Sequence, residues 1–167
     1  QPDAAPDPAP AKAPARKKKQ GSSAKKTAAL NALEARIGHK FAKRAGLVTA
    51  LTHVSALSPA KRNRADSYQR MEFLGDHVLG LVISDMLYKA FPKADEGELS
   101  KRLADLVRRE TCAEVARTLG LAEDIKLGAV GNAAAAARLR ESVLGDLCEA
   151  VIGAIYLDGG YPAAAAF

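Results

Sequence analysis

The sequence predicts an all-α domain on the basis of three observations. Hydrophobic residues make up 48% and charged residues 26% of the 167 positions, which is enough apolar material for one buried core. From Ala28 onward, apolar residues recur at the spacing of amphipathic helices, and no run shows the alternation of a half-buried strand. Helix-breaking residues follow the apolar runs, at Pro92, Gly120 and the pair Gly159 and Gly160.

The apolar periodicity predicts six helices. Their ranges in chain order are 30–37, 47–54, 69–91, 98–107, 111–119 and 138–157. The two most apolar runs, 69–91 and 138–157, should form the centre of the domain because little of their surface is polar. Pro92 should end the first of them, since proline cannot continue a helix, and Gly159 and Gly160 should end the second.

The N-terminal segment differs from the rest in composition. Residues 1–29 carry seven Lys and Arg against two Asp, a local charge of +5 out of the net +6 of the chain. Proline, alanine and lysine dominate this segment and offer little to bury. We therefore predict a disordered basic tail over 1–29 and a folded domain over 30–167. The lysine cluster either keeps the chain soluble or makes weak contacts with nucleic acid.

Several classes of protein are excluded by simple counts. The two cysteines, Cys112 and Cys148, are too few for a disulfide framework and lack zinc-site spacing, so a reducing compartment, the cytoplasm, is expected. The longest apolar candidate, 150–157, is far shorter than the roughly 20 residues of a membrane span. The tail lacks the apolar core of a secretory signal. We expect neither a membrane partner nor a small-molecule cofactor.

Two pairs of carboxylates interrupt the two most apolar helices. Glu72 and Asp76 lie four residues apart, and Asp146 and Glu149 lie three apart, so each pair occupies one helical face. Such pairs usually belong to a solvated face, but here both lie among apolar residues. If the pairs share one crevice, protons or a divalent cation must neutralise them. Ligands that are all oxygen favour magnesium, with manganese as a substitute.

Other residues near these pairs have less specific interpretations. Glycines occur on both apolar helices, at Gly75, Gly80, Gly145 and Gly153, and would let the helices approach closely. We assign His77 to the rim of the site, Cys148 to the core, and His39 and His53 to packing or capping. Four basic residues in the middle of the chain form either a solvated helix face or a phosphate-contacting surface: Lys101, Arg102, Arg108 and Arg109.

Four motifs in one order carry a family resemblance. The strings are ALTHVSA (50–56), QRMEFLGDHVLGLVISDMLY from Gln69, DEGELS (95–100) and ESVLGDLCEAVIGAIYLD from Glu141. The second resembles the signature helix of the ribonuclease III family, and the resemblance covers residues 33–161. Because several spaced motifs match in order, the resemblance is far more specific than one short string.

The resemblance implies an all-α, dimeric endonuclease domain that cleaves double-stranded RNA with magnesium. Matched by position, Glu72, Asp76, Asp146 and Glu149 would bind the metal, with Asp76 and Glu149 catalytic, and Glu96 would be an accessory acid. Hydrolysis would leave 5′-phosphate and 3′-hydroxyl ends, in the processing of ribosomal precursor and other structured RNAs. Recognition would depend on the shape and 2′-hydroxyls of A-form RNA.

Three features depart from the family pattern. Gln69 stands where a glutamate is usual, so an accessory carboxylate is replaced by an amide. Residues 131–142 lack the usual double glycine, and the chain ends at Phe167, where the family continues into an RNA-binding domain, so we expect a truncated chain. The alternative is a catalytically silent RNA-binding scaffold of the same fold, although such a scaffold usually lacks the metal carboxylates.

Overall fold

The computed structural model describes residues 20–58 and 67–167. Within these ranges the chain forms seven α-helices and two short 3₁₀ turns, Val54–Ala56 and Leu121–Glu123. The helices are α1 (Gln20–Ile37), α2 (Ala45–Ala50), α3 (Gln69–Ala90), α4 (Glu96–Leu106), α5 (Arg109–Thr118), α6 (Ala133–Ser142) and α7 (Leu144–Ala166). The described residues contain no strand, and Thr52 and Lys126 form an isolated parallel bridge. The prediction of an all-α fold is confirmed.

Helix α7 is the central element of the domain. Eleven of its residues are buried, and α2, α3 and α5 all pack against it. Its sequence explains this position, because the run from Leu144 to Ile155 is apolar on every side except at Asp146 and Glu149. The core of the domain therefore lies along the N-terminal half of α7, next to its two carboxylates.

Helices α3 and α7 touch backbone to backbone. A Cβ added at Gly75 would collide with the carbonyl oxygen of Glu149, and one added at Gly153 would collide with that of Met71. The predicted close approach is confirmed for these two glycines. It is wrong for Gly80, which has no atom within 4 Å of an added Cβ, and Gly145 allows a close approach of α5, through Arg109, instead of α3.

The last predicted helix, 138–157, is two helices in the structure. The chain breaks at Val143 (φ −108°, ψ 7°), which separates α6 from α7. Asn132 caps α6 by accepting a hydrogen bond from the Ala135 N–H at 2.9 Å. At its other end, α7 does not stop at the double glycine. Gly160 takes a positive φ of 70° and kinks the helix, and Pro162 fits the first turn of the segment that follows.

The first helix begins earlier than its apolar residues indicate. α1 starts at Gln20, so the predicted disordered tail extends too far, because residues 20–29 are helical. Alanine and lysine are strong helix formers, and no proline follows position 14 in this segment, which allows α1 to extend beyond its apolar face. The rest of the predicted tail, 1–19, lies outside the described residues.

The loop between α1 and α2 is held by two acids with several partners each. Glu34 is buried, and it accepts hydrogen bonds from Arg44 Nε at 2.9 Å and from the Phe41 N–H at 3.2 Å. Asp158 on α7 accepts hydrogen bonds from the N–H groups of Ala42 and Lys43 at 3.0 and 3.1 Å. These contacts lower the pKa of both carboxyl groups, chiefly through Arg44 for Glu34 and through the Ala42 N–H for Asp158.

Candidate carboxylate site

The two predicted carboxylate pairs face each other across the contact between α3 and α7. Glu72 lies in the first turn of α3 and Asp76 one turn later, while Asp146 and Glu149 lie in the first two turns of α7. The glycine contact between Gly75 and Glu149 holds the two helices together at this level. All four carboxylates are therefore near enough to influence one another electrostatically.

Their mutual repulsion is visible in the pKa values. Burial is the largest effect that raises the pKa of Glu149, to about 7, and the charges of Asp76, Asp146 and Glu72 add to it. The pKa of Glu72 is raised mainly by burial as well, with contributions from Asp146 and Asp76. At neutral pH the site thus contains more negative charge than its surroundings stabilise.

Two neighbouring residues contact Asp146. Arg109 Nη2 lies 3.1 Å from Asp146 Oδ1 and also donates a hydrogen bond to the Ser142 carbonyl oxygen at 2.5 Å. Tyr68 lies close to Asp146, and burial, together with the charges of Asp146 and Glu72, raises the pKa of Tyr68 to about 12. Tyr68 is buried and stacks on His53, with ring centroids 5.6 Å apart.

The chemistry of these donors fits a hard divalent cation. Every candidate ligand is a carboxylate oxygen, and burial together with neighbouring carboxylates raises the pKa of Glu72 and of Glu149. Within the described ranges, no three His, Cys, Asp or Glu side chains are already arranged to hold a metal ion. Two of the four carboxylates are directed to other partners. Asp146 is paired with Arg109, and the Asp76 side chain is 57% exposed beside His77.

The two predicted accessory residues, Gln69 and Glu96, lie at different distances from the four carboxylates. Gln69 is the first residue of α3, one turn before Glu72, and lines a cavity with Thr49, Leu74 and Leu157. Glu96 begins α4 and accepts a hydrogen bond from the Ser100 hydroxyl at 3.0 Å. Glu96 lines a groove with residues 84–88 of α3, about 12 Å or more along that helix from Asp76. Within one chain, the structure does not bring Glu96 to the four carboxylates.

The histidines and cysteines lie where the sequence predicts. His39 pairs with Asp158 at 3.0 Å, His53 accepts a hydrogen bond from the Ser55 N–H, and His77 is exposed at the rim. Cys148 is buried in the core.

Sequence reasoning missed the parts that Arg109 and Tyr68 play beside Asp146. Arg109 was left open between a solvated face and a phosphate contact, and Tyr68 was not singled out. Both are far from Asp146 in the chain, so helical periodicity could not connect them. The one available indication was that an acidic crevice requires nearby hydrogen-bond donors.

An all-α domain with acids facing each other on its two central helices defines a narrow class of protein. A family model described as ribonuclease-III-like matches residues 43–167. The chain therefore belongs to the ribonuclease-III-like family.

Individual relatives agree with this assignment. The chain is 68% identical over 164 residues to Ribonuclease 3 of Nitrobacter winogradskyi and 69% identical over 151 residues to that of Rhodopseudomonas palustris. These alignments cover 98% and 90% of the chain but 60% and 54% of the relatives. The chain thus spans little more than half the length of these curated relatives.

A solved structure shares the fold. The nuclease domain of ribonuclease III from Campylobacter jejuni, studied for structural flexibility in a region involved in dimer formation, matches with a TM-score of 0.72 and 35% identity. The match covers 82% of this chain and 91% of that domain. In the part of our chain that is described, no helix is long and apolar enough to cross a membrane.

Proposed function

We propose that this chain is the catalytic domain of a cytoplasmic endoribonuclease that cleaves double-stranded RNA by metal-assisted hydrolysis. Its products would carry 5′-phosphate and 3′-hydroxyl ends, and its substrates would be ribosomal precursor and other structured RNAs. The observation that carries this proposal is a pair of carboxylates on each of two packed helices, Glu72 with Asp76 and Asp146 with Glu149, of which all but the exposed Asp76 are partly buried. The membership of the chain in the ribonuclease-III-like family indicates the class of reaction for this arrangement.

The four carboxylates would hold the cation. When bound, magnesium, for which manganese can substitute, supplies a more acidic water as nucleophile and neutralises charge on the scissile phosphate. Glu149 has a pKa of about 7, so its carboxyl would release a proton before it binds a cation. We assign catalytic roles to Asp76 and Glu149. Gln69 would be an accessory group that orients ligands or water, whereas Glu96 lies too far from these carboxylates within one chain to take that role there.

Exposed basic residues on α4 and the loop after it would contact the RNA backbone. Lys101, Arg102 and Arg108 are all exposed, and Arg102 lies over the ring of Phe91 at 4.2 Å. Lysine and arginine contacts to phosphates supply affinity without reading sequence. Selection of duplex RNA would then depend on A-form geometry and 2′-hydroxyls.

A homodimer is the second part of the proposal. Phe73 on α3 is 70% exposed, and Leu157 on α7 is 61% exposed. Both line a cavity of about 640 Å³ next to Leu74 and Met71. A second copy could place its Phe73 in this cavity, and a two-fold axis would repeat the contact. The C. jejuni domain, for which a region involved in dimer formation is described, supports a dimer in general.

Cleavage of a long RNA duplex tests the activity directly. We expect cutting in magnesium, none with EDTA, and a loss of at least about a hundredfold in Asp76→Asn and Glu149→Gln. Glu141→Gln removes an exposed acid outside the site, paired with Arg117, and should cut like the wild type. Wild-type silence at every magnesium concentration would instead favour the non-cleaving RNA-binding scaffold.

Sedimentation tests the dimer. We expect a dimer at micromolar concentration that Phe73→Ser converts to monomer. Tyr88→Ser is a matched control, because Tyr88 is also an exposed aromatic residue of α3, at 73%, but lies four turns further along the helix. A wild-type monomer, or equal behaviour of the two variants, would contradict the proposed interface.

A further inference from the structure

Arg109 is anchored to the N-terminus of α7 by three contacts. Its Nη2 lies 3.1 Å from Asp146 Oδ1 and donates a hydrogen bond to the Ser142 carbonyl oxygen at 2.5 Å. Its aliphatic part packs on the backbone, because a Cβ added at Gly145 would lie 2.6 Å from Arg109 Cγ. The absence of a side chain at Gly145 therefore leaves the space that the arginine occupies.

The position of Arg109 gives its charge an effect on the whole carboxylate site. Asp146 is 22% exposed and Arg109 is 60% exposed, so the pair lies at the edge of the site with its carboxylate partly shielded from water. The same guanidinium partly offsets the burial and the carboxylate repulsion that raise the pKa of Glu72 and of Glu149. Arg109 thus reduces the excess negative charge that a divalent cation would otherwise neutralise.

We propose that Arg109 is a positioning residue that acts as an internal counter-ion at Asp146 and competes with the divalent cation for this carboxylate. The inference rests on the proposed function, since it concerns the same metal site. A cation that binds Asp146 must displace the guanidinium, because the carboxylate oxygen that faces Arg109 cannot serve both at full strength. The separate bond to Ser142 and the packing on Gly145 keep the displaced arginine at the rim of the site.

The competition has two consequences that do not depend on catalysis. Removing the guanidinium should strengthen metal binding, because one competing positive charge is lost. It should also weaken the metal-free protein, because the four carboxylates then repel one another more strongly. A residue that merely packed against α7 would lower stability with and without metal and would not raise metal affinity.

The experiment measures manganese and magnesium binding by calorimetry on the full chain. We expect Arg109→Gln to bind about two- to fivefold more tightly than the wild type, the factor for loss of one partly exposed ion pair. Arg109→Lys keeps the charge and should return the affinity toward the wild-type value. Arg117→Gln is the matched control, because it removes the same charge from the same helix where the partner is Glu141. Its affinity should not change.

Two further measurements keep the test decisive. In EDTA, Arg109→Gln should melt about 2–4 °C below the wild type, and saturating magnesium should narrow this difference. In the wild type, the NMR resonance of the Arg109 Nε–H should shift during a magnesium titration. The midpoint of this shift should equal the midpoint of the binding curve from calorimetry. This measurement uses the wild type alone, so it does not depend on the folding of a variant. An unchanged resonance or equal affinity of Arg109→Gln and wild type would overturn the competition alone. Absence of metal binding by every protein would overturn the proposed function as well.

Discussion

Two groups of acidic side chains in this domain differ in their partners. Glu34 and Asp158 fix the loop between α1 and α2, and each accepts hydrogen bonds from a basic side chain or from backbone N–H groups. The pKa of each lies below its ordinary value. Glu72 and Glu149 on α3 and α7 lie near other carboxylates, and burial, with the charges of these carboxylates, raises their pKa values.

The comparison separates acids that stabilise the fold from acids that are held for chemistry. Burial alone does not distinguish them, because Glu34 is more buried than Glu149. The difference lies in compensation: the loop acids are neutralised by the protein, and the site acids are brought together without enough positive charge. Strongly raised pKa values in a crevice are typical of functional sites.

The largest expected effect concerns the helix contact that forces the site acids together. We expect Gly75→Ala to lower the free energy of unfolding by at least about 3 kcal/mol, because the added Cβ collides with the backbone of Glu149. Gly80→Ala on the same helix meets no atom within 4 Å and should stabilise by about 0.5–1 kcal/mol. Urea denaturation of both variants checks this. Equal stabilities would show that α3 and α7 are further apart than described.

Next in size is the loss of a compensated acid. We expect Glu34→Gln to lower the free energy of unfolding by about 2 kcal/mol, because the part-buried Arg44 loses its charged partner. Glu141→Gln, which breaks an exposed pair with Arg117, should change it by less than about 0.5 kcal/mol. Thermal unfolding at neutral pH gives both values. If the two variants behaved alike, Glu34 would not differ from a surface acid.

The contributions of the site acids and of the loop acids to folding stability should also change with pH in opposite directions. Because the folded pKa of Glu149 is about 7, above its ordinary 4.5, the metal-free native state binds the extra proton. Stability should therefore fall as pH rises from about 4.5 to 7, by roughly 1–2 kcal/mol after discounting for partial exposure. Glu34, with its lowered pKa, contributes stability above its ordinary pKa that is lost as pH falls through the folded value.

Unfolding measured in EDTA between pH 5 and 8 resolves the two contributions. In a plot of unfolding free energy against pH, Glu149→Gln should remove the decrease between about pH 5 and 7. It should leave the loss of stability at lower pH unchanged. Glu34→Gln should reduce the loss at lower pH only. A Glu149→Gln profile that still falls between pH 5 and 7 would mean that another group carries the proton.

The smallest effect is expected at Gln69. Gln69→Glu adds one negative charge a turn before Glu72, so half-maximal cleavage should require about two- to fivefold less magnesium than in the wild type. Magnesium titrations of both proteins on one duplex measure this. If the wild type were wholly inactive and Gln69→Glu cleaved the duplex, Gln69 would instead be the cause of the lost activity.

How far the sequence predicts this molecule depends on the range of each interaction. The pairing of carboxylates on α3 and on α7 follows from spacing within a helix, and Gly75 and Gly153 contact the facing helix as expected. The ion pair of Arg109 with Asp146 joins residues on different helices, so no periodicity shows it. The kink at Gly160 was missed for another reason, because a double glycine usually ends a helix, whereas here Pro162 restarts it.

In the proposed metal site, the acids of α3 and α7 repel one another until a divalent cation neutralises them. The most direct test is the melting temperature of wild type and Glu149→Gln at pH 8, above the pKa of about 7, in EDTA and in saturating magnesium. We expect the order to reverse: the variant melts higher in EDTA, because one repelling charge is gone, and lower in magnesium, because one ligand is gone. If the two proteins kept the same order of melting temperatures in EDTA and in magnesium, the acids would not form a repelling site that a cation neutralises.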